Sequence, residues 1–85
     1  MKVIRHGNKY SRYGIIVMKK NQKGESIDNT ITYWMENDLK QIKALYSSLE
    51  RCQQYHNENN TGIKLDINIF DYQEIKYINK EVKGY

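Results

Sequence analysis

The chain has 85 residues, the length of one domain, with 14 Lys+Arg against 10 Asp+Glu and a pI near 9.2. Its longest apolar run, Ile15-Ile16-Val17-Met18, falls far short of the roughly 20 residues of a membrane-spanning helix, and the single Cys52 excludes a disulfide framework. No N-terminal segment reads as a signal peptide, so the expectation is one cytoplasmic domain over residues 1–85, packed largely by its eight Tyr, one Trp and one Phe.

In chain order, residues 1–5 suit a short strand that ends at the turn signal His6-Gly7-Asn8. Residues 13–20 read as a strand, rich in β-branched side chains and closed by Lys19-Lys20. After a turn at Asn21-Gln22-Lys23-Gly24, residues 26–35 suit a further strand. There Ile27, Ile31, Tyr33 and Met35 share one parity, and Thr30, Thr32 and Trp34 share the other. A rival reading extends the next helix back to Ile31, which would place Trp34 in the core.

The strongest element is an amphipathic helix over residues 38–56, with Asn37 as its N-cap. Leu39, Ile42, Leu45, Tyr46, Leu49 and Cys52 recur at three- and four-residue spacing and form one apolar face, which implies a buried Cys52. In residues 63–70, Ile63, Leu65, Ile67 and Ile69 alternate with polar residues, the mark of a half-buried strand. Residues 72–82 suit a short helix capped by Asp71, or a last strand; the helix is the favoured reading. The order predicts an α+β fold: a small antiparallel sheet of N-terminal hairpin strands plus strand 63–70, with the helix packed on one face.

Charge is the most informative feature. Residues 1–24 hold Lys2, Arg5, Lys9, Arg12, Lys19, Lys20 and Lys23 and no acid, whereas all ten acidic residues lie in 25–85. Cations neutralise phosphates and aromatic rings stack on bases, so this segment, with Tyr10 and Tyr13 interleaved, suits nucleic acid. On strand geometry Tyr10 and Arg12 would share a face. An acidic protein surface would meet the same charge equally well, and a solvated edge that discourages aggregation needs no partner at all.

The expected function is therefore a small non-enzymatic binding module that uses its basic N-terminal third to engage nucleic acid or the machinery that handles it. The binding residues would be Arg5, Lys9, Tyr10, Arg12, Lys19, Lys20 and Lys23. Trp34, if exposed, would be an anchor for a protein partner. The alternative is an inhibitor or modulator of a host enzyme or defence protein, of the kind carried by phages and mobile elements. The abundance of Lys, Ile, Asn and Tyr, residues of AT-rich codons, goes with that source. A ribonuclease toxin would need an acid–base pair, for which His6 and His56 are the available histidines. No cofactor motif occurs, and two histidines and one cysteine do not supply the four ligands of a structural zinc site. A homodimer is left open.

Overall fold

The computed structural model describes residues 1–83. Its elements are β1 (Lys2–His6), β2 (Tyr13–Lys20), β3 (Ser26–Glu36), α1 (Leu39–Glu58), β4 (Lys64–Asp71), β5 (Lys76–Tyr77) and α2 (Asn79–Lys83). The strands form one five-stranded sheet in the order β1-β3-β2-β4-β5, and α1 lies across one face. The α+β architecture with one long helix on the sheet is as the sequence predicts.

The sheet is mixed rather than antiparallel. β1 pairs with β3 in parallel, Val3 opposite Ile31 and Arg5 opposite Tyr33, and does not form a hairpin with β2. Both edges of β2 are already occupied: β3 returns along one through the 21–25 turn, and β4 lies along the other. The first strand therefore takes the outer edge of β3. Its connection to β2 passes the end of β3 at Gly7, where φ is +86° and a Cβ would collide with the Met35 carbonyl. Residues 7–12 are loop, not strand, so Tyr10 and Arg12 do not share a strand face.

The odd residues of β2 and β4 face the helix. Ile15, Ile69 and Ile42 of α1 are completely buried, and Tyr13, Val17, Tyr46, Leu65, Ile78 and Val82 complete the core. Each such aliphatic side chain contributes about 1.5–3 kcal/mol of transfer free energy.

Trp34 follows from the register. It pairs with Ile15, so it shares the helix-facing side, where it is half-buried against the core and stacks on His6 with ring centroids 5.3 Å apart. The strand reading of this segment holds, but the exposure of Trp34 tied to that reading does not follow, because the Trp34 face and not the Ile31–Tyr33 face meets the helix. Ile27 also leaves its expected set. Between the pairs Met18–Ile31 and Lys20–Ser26 the stretch 27–30 bulges out opposite Lys19, with Asn29 at φ +55°, and this shifts the parity.

In α1 the N-cap is Asp38, whose Oδ1 accepts from Lys40 N at 2.9 Å. Asn37 is instead spent on the loop before β2, its Oδ1 accepting from Arg12 N at 2.8 Å. Cys52 is exposed, contrary to expectation. The sheet-facing line runs through Ile42, Tyr46, Leu49 and Gln53, and Cys52 falls to its flank.

Gln53 is polar on an apolar line because the outer edge of β4 needs it. Its Oε1 accepts from Leu65 N at 2.6 Å and its Nε2 donates to Ile63 O at 3.0 Å. Further along the same edge, Asn79 accepts from Ile69 N at 2.7 Å and donates to Ile67 O at 3.2 Å. Two side-chain amides thus stand in for a neighbouring strand.

The tail takes neither expected form alone. Residues 72–75 turn, β5 pairs with the end of β4, and α2 starts only at Asn79. Ile75 is exposed at φ +53°, and Asp71 is not a helix cap.

Candidate ligand-binding face

With α1 on one side, the other face of the sheet has no helix on it among the described residues. Register assigns this face Val3 and Arg5 from β1, Ile31, Tyr33 and Met35 from β3, Gly14, Ile16, Met18 and Lys20 from β2, and Lys64, Asp66, Asn68 and Phe70 from β4. Tyr77 of β5 lies opposite Phe70.

One end of the face is a ring cluster. Phe70 meets Tyr72 at 4.9 Å between centroids and Tyr77 at 5.0 Å, with interplanar angles of 62° and 81°. The Arg5 guanidinium lies 5.2 Å from the centre of the Tyr33 ring. Burial pushes the Tyr72 phenol above its usual range; Tyr33 adds to that rise and Arg5 opposes it, as expected of neighbours. Tyr72 sits over the central strand: a Cβ on Gly14 would stand 3.0 Å from its Cε2 and 3.0 Å from Met35 Sδ. The Tyr72 backbone is held by a 2.7 Å bond from its N–H to Arg12 O.

At the other end Lys20 and Lys64 stand directly opposite each other on β2 and β4. Asp66 offsets one of them through a 2.8 Å ion pair with Lys20. By register the face carries three cations and one carboxylate, and that carboxylate is paired.

The cations expected to form one basic surface are divided. Lys9 and Arg12 precede β2, whereas Lys19, Lys20 and Lys23 lie at or beyond its far end. The eight residues of β2, at about 3.4 Å each, separate the two groups by about 25 Å. Tyr10 is 82% exposed in its loop, with Lys9 Nζ 5.2 Å from its ring centre. Arg12 is committed to Asp71 through bonds of 3.1 and 2.9 Å. Of the expected set only Arg5 and Lys20 join the open face, and Trp34 lies on the opposite side of the sheet.

Tyr33, Phe70, Tyr72, Tyr77 and Gly14 were not singled out from the sequence. One local signal existed: Phe70 continues the polar parity of Lys64, Asp66 and Asn68, an aromatic ring where the alternation calls for a polar residue.

The two histidines occupy opposite ends of the sheet. His6 ends β1 beside Trp34, and His56 lies near the end of α1 with Nδ1 3.0 Å from Thr61 Oγ1. Among the described residues no group of three or more His, Cys, Asp or Glu is placed to hold a metal ion, and no helix is long and apolar enough to cross a membrane. A groove between α1 and the β4 edge is also present; within it Gln53 is engaged with β4 and Glu50 with the Tyr46 phenol.

Comparison with known protein families, with curated proteins and with solved structures finds no match to this chain.

Proposed function

We propose that this protein is a non-enzymatic binding module that engages nucleic acid through the open face of its sheet. The observation that carries the reading is the composition of that face: Arg5, Lys20 and Lys64 with a single, already paired carboxylate, beside a cluster of aromatic rings. Lys20 and Lys64 are held opposite each other and Asp66 offsets only Lys20, which leaves Lys64 a cation in want of an anion. A phosphate backbone supplies such an anion, and the rings supply stacking surface for bases.

The test is a salt titration on random single- and double-stranded oligonucleotides. With Lys20 engaged by Asp66, Arg5 and Lys64 supply two phosphate contacts, which imply a log–log slope of about −1.8 on duplex DNA or about −1.4 on a single strand. Changing Arg5 and Lys64 together to Gln removes most of that slope. Binding weaker than about 100 μM on both forms at 50 mM salt, below even ordinary non-specific affinity, overturns the reading.

A second reading, a modulator that docks on an acidic protein surface, draws on β1. Its outer edge pairs with no strand among the described residues, and it carries Lys2, Arg5 and a Val3 that is 55% exposed. A partner recovered from lysate through β1 after nuclease treatment, and lost on Val3→Asp, favours this reading.

A further inference from the structure

We infer that the open face takes a single strand laid across the β-strands, along a row that runs Arg5, Tyr33, Tyr72, Phe70 and Tyr77, with Tyr72 seated on Gly14. This rests on the nucleic-acid reading and specifies its ligand.

The row follows the strand order of the sheet. Arg5 comes from β1, Tyr33 from β3, Gly14 beneath Tyr72 from β2, Phe70 from β4 and Tyr77 from β5. Arg5 and Tyr33 lie on the rung of Ile16, and Gly14, Phe70 and Tyr77 lie on the rung two residues away, so the row is a diagonal, about 19 Å across the strands and about 7 Å along them. B-DNA offers base edges only within grooves, the wider of which is about 12 Å across. A row that long on a five-stranded sheet does not enter such a groove, and paired bases are already stacked on one another. The unstacked bases of a single strand present the faces that rings can take.

Ring geometry supports this. Tyr72 and Tyr77 each meet the half-buried Phe70 edge-to-face, at 62° and 81°, Tyr72 reaching over Gly14 of β2 and Tyr77 coming from β5. They are also the open members of the cluster, Tyr77 62% and Tyr72 42% exposed. Arg5, already over the Tyr33 ring, offers a planar cation for a base or a phosphate at the β1 end.

Glycine at position 14 makes the row continuous. A Cβ there would stand 3.0 Å from the Tyr72 ring and from Met35 Sδ, so a larger residue makes these side chains give by a few tenths of an ångström at the place where Tyr72 crosses β2. A second copy of this chain is a poor occupant of the face, because the excess of Arg5, Lys20 and Lys64 over Asp66 would meet itself.

The experiment measures wild-type affinity for a labelled mixed-sequence single strand and for its duplex at 50 mM salt, followed by Tyr77→Ala, Tyr72→Ala and Gly14→Ala. The single strand is expected to bind at least tenfold tighter than the duplex. Tyr77→Ala and Tyr72→Ala are each expected to weaken it by about 5- to 150-fold with the salt slope unchanged. Gly14→Ala should weaken it in the same sense. Tyr55→Ala, on the exposed side of α1, is the control and should change nothing. Tyr77 is exposed enough that its truncation leaves the fold intact, so it decides the matter if the other two variants unfold. Equal affinity for duplex, or a folded Tyr77→Ala with wild-type single-strand affinity, overturns this inference and leaves the nucleic-acid reading standing. Failure of the wild type to bind either form overturns both.

Discussion

Arg12 and Asp71 form a two-pronged ion pair across the end of the sheet. Nε donates to Oδ1 at 3.1 Å and Nη2 to Oδ2 at 2.9 Å. The same carboxylate accepts from Gln73 N at 3.0 Å and Glu74 N at 3.2 Å. Since Tyr72 N also donates to Arg12 O, the pair holds both sides of the turn that carries Tyr72 onto the open face.

This pair sets a pH dependence. The Arg12 hydrogen bonds hold the Asp71 carboxyl at about 2, against an ordinary 3.8, with the Glu74 and Gln73 amides assisting and burial opposing. A depressed folded value means that the stabilisation is complete above the unfolded value and disappears as pH falls through the folded one. The melting temperature is therefore expected to drop as pH is lowered from about 5 to about 2, and to drop less steeply in Asp71→Asn. Parallel profiles for the two proteins would show that this carboxylate is not ionised against Arg12.

Cys52 should react with a thiol reagent in the native state, without denaturant, at a rate close to that of the unfolded chain. It is exposed on the flank of α1, away from the line through Ile42, Tyr46 and Leu49 that faces the sheet. Slow labelling that speeds up only in urea would mean that α1 is rotated about its axis from the position described.

The edge of β4 makes a third expectation. Asn79→Ala removes the partner of Ile69 N and of Ile67 O, both partly buried, at a cost of about 1–3 kcal/mol. It also uncovers a strand edge, so the variant should associate at high concentration, as read by size-exclusion chromatography. Asn79→Asp keeps an acceptor for Ile69 N but loses the donor to Ile67 O, and should fall between wild type and Asn79→Ala. A fully monomeric Asn79→Ala of wild-type melting temperature would remove the edge-sealing role.

The sequence by itself determined the elements whose signal is local. β2 and β4 show a run or an alternation of β-branched residues, and α1 shows three- and four-residue spacing, because a strand or helix must keep one side apolar wherever it packs. Tertiary structure decided what those sides meet. Alternation sorts Ile31 and Tyr33 from Trp34 without saying which set the helix covers, and only the pairing of Trp34 with Ile15 answers that. Charge arithmetic counts Arg12 and Lys20 as open cations, but Asp71 and Asp66 engage them from 59 and 46 positions further along the chain. The ring row draws on five strands and the turn after β4, and apart from Phe70, an aromatic ring at a polar parity, each of its residues looks ordinary within its own segment. Strand order, register and the seat at Gly14 arise from contacts between distant segments, and local periodicity carries no information about which segments will pair.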